Sequence, residues 1–193
     1  MLRAFIAVPL EEAARAALTG IIETLEHAAG GRGRAASGRV AWVQRENLHL
    51  TLKFLGPVDE HQVRRAQEAL DELGDIPSFR IDLRGIGAFP SPGRPRVIWI
   101  GIRPQEPVQA LAASVESRLA DLHPENRPFS AHITIGRLRD PSVLPGLEKI
   151  KEMWNDRIIT SSLVDRVTLF QSILSPRGAV YRPFYTVRLN KEA

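Results

Sequence analysis

Two segments of this chain repeat one arrangement, a histidine followed two positions later by a threonine. His49-Leu50-Thr51 sits in LHLTLKF, and His132-Ile133-Thr134 sits in AHITIGR. Apolar residues alternate with both pairs, the pattern of a strand with one buried face. Residues two apart on a strand share a face. His49 and Thr51 therefore lie together, opposite Leu48, Leu50, Leu52 and Phe54, and His132 and Thr134 lie together, opposite Ile133 and Ile135. Each strand offers an imidazole beside a hydroxyl. Imidazole titrates near neutral pH, so one ring can begin as a base while the other begins as an acid. Threonine hydroxyls can donate to the non-bridging oxygens of a phosphate. The set suits phosphodiester chemistry and requires no metal. One such pair is common on a half-exposed strand; two at matching places point to a shared cleft.

The surrounding elements must bring the pairs together. Residues 2–9 and 40–56 read as strands, with a turn at Arg45–Asn47. Residues 10–29 have helical spacing at Leu18, Ile21, Ile22 and Leu25. A second helix is expected over 58–74, with Asp59 as N-cap and Gly74 as its stop. Strands are expected over 79–90, 97–102, 130–138, 164–174 and 175–189, and helices over 105–122 and 140–156. In two successive parts of the chain, a strand and a helix precede the His-x-Thr strand, and a helix and strands follow it. That order is an approximate internal duplication. Short Gly/Pro turns between many strands favour an α+β fold of largely antiparallel sheets with helices packed against them.

Composition narrows the chemistry. The chain has 193 residues, 44% apolar and 25% charged, and no cysteine. Disulfides, thiolate nucleophiles and cysteine metal sites are excluded. The apolar run at the start is short for a signal peptide, and no run reaches the ~18 residues that span a bilayer. A cytoplasmic protein with no membrane segment is expected. The net charge is +4, and 22 of the 26 basic residues are arginine. Guanidinium binds phosphate bidentately, so a nucleotide or RNA partner is permitted. Arg32, Arg34 and Arg39 make a basic loop. Lys53, two positions after Thr51, is placed on the same face as a candidate RNA phosphate contact. A zinc site is the alternative use of paired imidazoles; His27, His61 and His123 fall in two helices and a loop without ligand spacing, so no metal is expected.

Four stretches carry a resemblance to a known family. FIAVPL, ENLHLTLKFLG, RPFSAHITIGR and FQSILSPRGAVY, in order from residue 5 to 181, resemble the landmarks of the 2H phosphoesterases. The branch they are most similar to is the RNA 2',3'-cyclic phosphodiesterases, also called 2'-5' RNA ligase-like proteins. The resemblance implies one bilobal domain over residues 1–193, with two interleaved lobes. Two antiparallel sheets with helices outside would face one another across a central cleft, each carrying one motif. It implies hydrolysis of a 2',3'-cyclic phosphate at an RNA end to a 2'-phosphate, without cofactor or metal. His132 would be the general base, His49 the general acid, and Thr51 and Thr134 the phosphate holders. The pseudo-symmetry leaves the exchange of the two histidine roles chemically open. Arg137 carries over as a phosphate or substrate contact. Ser172 and Tyr181 match a late S-x-L-x-P-x-G-x-x-Y stretch, and Phe5 lies at the cleft end of the first strand; these three are candidate substrate contacts. Family members usually have proline before the second histidine; here it is Ala131, which lacks proline's backbone restraint. Some members join tRNA halves by a 2'-5' linkage, so ligation or another small phosphodiester is the alternative activity. A non-catalytic RNA-binding module is the alternative class. A monomer is expected, because the duplication supplies both lobes.

Overall fold

The structure is a computed structural model describing residues 1–28, 40–91, 94–124, 128–139, 151–175 and 178–190. The elements run β1 (Leu2–Pro9), α1 (Glu12–Ala28), β2 (Val40–Trp42), a 3-10 turn (Arg45–Asn47), β3 (His49–Val58), α2 (Glu60–Asp71), β4 (Phe79–Phe89), β5 (Val97–Arg103), α3 (Glu106–Arg118), β6 (His132–Leu138), β7 (Ile158–Val164), β8 (Arg166–Ser175) and β9 (Gly178–Arg188). Asp59 caps α2 as expected. Its carboxylate accepts from Gln62 N at 2.8 Å, and the Gln62 side chain accepts from Asp59 N at 3.0 Å, a capping box of a kind that stabilises a helix by about 1 kcal/mol.

Three differences from the sequence pattern are local. Residues 158–164 form a strand of which the alternation reading leaves 158–163 unassigned and places Val164 in the next strand; Ile158, Ile159 and Thr160 are β-branched, and the strand pairs with β4. The helix α2 ends at Asp71 rather than Gly74, and the chain leaves it through turn bonds from Leu73 N to Leu70 O and Gly74 N to Asp71 O. Of the helix expected over 140–156, residues 151–153 are helical and 140–150 lie outside the described residues, as do Arg32, Arg34 and Arg39.

The strands form two antiparallel sheets, one of four strands in the order β3-β1-β8-β9 and one of five in the order β2-β6-β5-β4-β7. The expected α+β architecture of two antiparallel sheets is present. Each sheet draws strands from both parts of the chain. β1 and β3 come from the first part but take β8 and β9 as neighbours. β5 and β6 come from the second part but take β4. Helices tie the sheets further: α1 packs on β7 and β6, α2 on β8 and β9, and α3 on β3. The apolar residues form one continuous core through Ile6, Leu18, Leu50, Leu70, Ile100 and Ile133. The motif strands β3 and β6 meet where the sheets adjoin, with Cα atoms within 8 Å.

Candidate active site

Both motif histidines are half-buried, and both are held in the same way. His49 Nδ1 donates to Asn47 O at 2.6 Å, and His132 Nδ1 donates to Ser130 O at 2.7 Å. A carbonyl can only accept, so each neutral ring carries its proton on Nδ1 and its lone pair on Nε2. At His49 that lone pair accepts from the Thr51 hydroxyl at 2.9 Å. The expected sharing of a face is thus realised as a hydrogen bond. The 3-10 turn fixes the Asn47 carbonyl, closing with Asn47 N to Gln44 O at 2.9 Å and Leu48 N to Arg45 O at 3.2 Å.

Aromatic rings wall each imidazole. Around His49 stand Phe5 (centroids 4.9 Å apart), Tyr181 (5.3 Å, edge-on at 88°) and Phe170 (6.3 Å). Around His132 stand Phe89 (5.1 Å, 84°) and Trp99 (6.3 Å, 60°). The indole of Trp99 lies over Gly87, where any Cβ would come within 2.1 Å of the ring. These walls displace water. Burial is accordingly the main cause that holds both histidines below the ordinary imidazole value of 6.5, only partly opposed by the carbonyl bonds. Arg137 lowers both further, and His132 lowers His49. Arg137 and His132 of β6 both act on His49 of β3, so the imidazoles and the guanidinium share one electrostatic neighbourhood.

A bulge in each motif strand changes which later residues face it. The pairing of β1 with β3 slips between Ile6 and Ala7, where Ile6 opposes Lys53 and Ala7 opposes Thr51. The pairing of β5 with β6 slips between Ile98 and Trp99, where Ile98 opposes Gly136 and Trp99 opposes Thr134. Leu52 and Ile135 are the extra residues, and a bulge resets the alternation beyond it. Lys53 therefore turns inward, against the expectation that it faces RNA. It is 1% exposed and ion-pairs with Glu116 of α3 at 2.5 Å, with a further bond to His123 O at 3.1 Å. The position after it turns outward instead. Phe54, expected in the core, is 49% exposed, and Arg137 at the equivalent place on β6 is exposed as well.

The other expected residues are distributed around the same face. Phe170 and Ser172 of β8 lie opposite Phe5 and Arg3 of β1, and Tyr181 of β9 lies opposite Ser172. Phe5, a candidate substrate contact by sequence, is a buried wall of the site: it is 3% exposed, packed between Phe170 at 5.3 Å and Tyr181 at 4.8 Å. Sequence reasoning missed Phe54, Phe89, Trp99, Phe170 and Asn47. The aromatics occur in LKFL, AFP, VIW and TLFQ runs that read only as strand, and Asn47 reads as a turn residue. Among the described residues no three metal-ligating side chains cluster, and no helix is long and apolar enough to cross a membrane.

The profile of the 2'-5' RNA ligase superfamily matches residues 11–173. The chain belongs to this superfamily, the 2H phosphoesterases. It is similar to proteins named RNA 2',3'-cyclic phosphodiesterase from Archaeoglobus fulgidus, at 35% identity over 94% of this chain and 97% of that one. A second so named, from Methanothermobacter thermautotrophicus, is 36% identical over 97% and 98%. Among solved superfamily structures, a Thermus thermophilus protein superposes with a TM-score of 0.77 at 28% identity, covering 100% of both chains. Escherichia coli LigT complexed with 3'-AMP gives 0.75 at 26% identity, over 97% and 98%. The superfamily that the four stretches resemble is the one whose profile matches residues 11–173.

Proposed function

We propose that the protein hydrolyses RNA 2',3'-cyclic phosphate ends to 2'-phosphomonoesters, without a metal, by acid–base chemistry between His49 and His132. The observation that carries the reading is the matched pair. Two imidazoles on adjoining strands present Nε2 as the reactive nitrogen, each fixed by the carbonyl two residues back. In this reading His132 Nε2 takes a proton from water as the water oxygen bonds to phosphorus. The bond from phosphorus to the 3' oxygen breaks, and His49 Nε2 donates the proton that this oxygen requires. The 2' ester remains. Exchange with solvent then moves one proton off His132 and one onto His49.

The substrate's charge prepares the pair. In the free protein both rings are biased toward neutrality, and the Thr51 hydroxyl occupies His49 Nε2. When a phosphate oxygen accepts from Thr51 instead, that nitrogen is released to take a proton. An anion within ~4 Å favours the imidazolium by up to ~4 kcal/mol at an effective dielectric of ~20, and so opposes the desolvation that lowers both rings. Thr51, Thr134 and Arg137 stabilise the charge that grows on the non-bridging oxygens. Phe54 offers a face for a base, with Ser172 and Tyr181 beyond it. The names of the curated relatives and the nucleotide in the LigT complex support an RNA end as the substrate. A 5'-hydroxyl in the place of water would give 2'-5' joining, and the superfamily's name keeps that as the second reading. A single bilobal domain acting as a cytoplasmic monomer is part of the same proposal.

The test is an RNA bearing a 2',3'-cyclic phosphate, incubated with the protein in EDTA and followed by phosphorus NMR. A 2'-monoester is the expected product. A 3'-monoester, a requirement for added metal, or RNA binding without turnover would overturn the reading. Ligation with added 5'-hydroxyl RNA would favour the second reading.

A further inference from the structure

The strand β9 is separated from β3 by two strands in its sheet. Even so, the Asn47 carboxamide, just ahead of β3, donates to Ala179 O near the start of β9 at 2.8 Å. The β8–β9 hairpin therefore curls over the sheet face toward the first motif. Two residues beyond Ala179, Tyr181 sets its ring edge-on against His49 and against Phe5. Asn47 also supplies the carbonyl that accepts from His49 Nδ1. One residue thus holds the imidazole through its backbone and the covering hairpin through its side chain.

We propose that Asn47 is a positioning residue that couples the β8–β9 hairpin to His49. Its carboxamide keeps Tyr181 seated against the ring, and its carbonyl keeps the ring's reactive nitrogen at Nε2. The 3-10 turn makes the two tasks one, because the turn fixes the Asn47 backbone while the side chain reaches back across the sheet. Losing the carboxamide leaves the carbonyl bond in place and unseats only the hairpin. Water then reaches an edge of the imidazole that is otherwise dry. Among the described residues, the titratable and charged groups that face His49 are His132 and Arg137 on β6 and Tyr181 on β9; the wall residues of β1 and β8 are the uncharged Phe5 and Phe170. Hydration of the ring is thus the change that the loss of the tie brings.

This inference rests on the proposed role of His49 in turnover, but its first test needs no substrate. In NMR titrations of the histidine ring signals, Asn47→Ala should move the His49 midpoint upward toward the ordinary imidazole value, and His132 should move much less. Tyr181→Ala should reproduce the shift, Tyr181→Phe should not, and the double variant N47A/Y181A should add nothing further, because both changes empty the same wall. With a turned-over substrate, Asn47→Ala should lower kcat by up to about tenfold, the worth of one hydrogen bond, with KM nearly unchanged. An unmoved His49 midpoint in N47A, or additive shifts in the double variant, would overturn the proposal. Should N47A fail to fold, the comparison of Y181A with Y181F decides whether the hairpin wall governs the ring. Because the titration is read on free protein, absence of cyclic phosphate hydrolysis would sink the proposed activity and leave this coupling to be judged separately.

Discussion

The motif strands β3 and β6 have one burial rhythm over seven residues: His half-buried, apolar buried, Thr half-buried, apolar buried, then buried, exposed, buried. Only the histidine, the threonine and the closing leucine (Leu55 and Leu138) are identical between them. The bulge falls at the same step in each, and so does the bond from Nδ1 to the carbonyl two residues back. What differs is the pair of residues after the bulge. On β3 these are Lys53 and Phe54; on β6 they are Gly136 and Arg137. The inward position serves as a strut in one strand, Lys53 against Glu116. In the other it is an absence, since a Cβ at Gly136 would come within 2.8 Å of the Trp42 ring. The outward position gives an aromatic face on one side and a cation on the other. The backbone repeats the acid–base pair, and two side chains per strand make the rim unequal.

The inward difference gives the larger expected effect. Lys53 is fully enclosed, whereas Glu116 keeps about a third of its side chain in solvent (36%). Removing the carboxylate takes the counter-charge from a buried ammonium that keeps its bond to the His123 carbonyl; removing the ammonium leaves a carboxylate that water can reach. Glu116→Ala should therefore destabilise by about 3 kcal/mol, near the lower end for a broken buried pair. Lys53→Met, which keeps the volume, should cost about 1 kcal/mol. Urea unfolding of the two variants compares them directly. Equal costs, or the reverse order, would mean that the lysine is not the dependent partner.

The outward difference should appear in kinetics. Arg137 helps to hold both histidines low in the free protein, so its loss lets both rise. Arg137→Gln should move the whole pH profile of kcat/KM toward higher pH while lowering its height, because kcat/KM reports the free protein's acid and base. Phe54→Leu carries no charge and should leave the profile in place. It should raise KM about tenfold for substrates that carry a base, the scale of one lost stacking contact. A profile that shifts equally in both variants would erase the distinction drawn between the two rims.

The motif pair, the antiparallel α+β layout and the Asp59 cap were legible because each follows from local periodicity or a local hydrogen bond. The bulges were not. LHLTLKF alternates without interruption, so its pattern assigns Lys53 to the cleft and Phe54 to the core; the slip exists only in the pairing of β3 with β1. Position 137 illustrates the same point: by plain alternation, three residues past Thr134 lies on the wrong face, and the bulge at Ile135 is what turns Arg137 outward. The exchange of β4 and β8 between sheets is equally invisible, because each has the same antiparallel, half-buried pattern whichever neighbour it takes. The strand at 158–164 was the exception, since its β-branched run carried a readable signal.

The central claim is that two imidazoles act on one phosphorus, one as base and one as acid. The most direct measurement is the pH dependence of kcat/KM with a 2',3'-cyclic nucleotide in chelator, for wild type and for folded His49→Ala and His132→Ala. The account predicts a bell for wild type, centred on the acid side of the ordinary imidazole value because both rings are held low. Each variant should fall by about 10²–10⁴-fold, the usual worth of one acid or base. The residual activity of His132→Ala should lack the acidic limb, and that of His49→Ala the alkaline limb; limbs lost in the opposite order would exchange the two roles. Either variant retaining both limbs, or near wild-type turnover, would contradict the account.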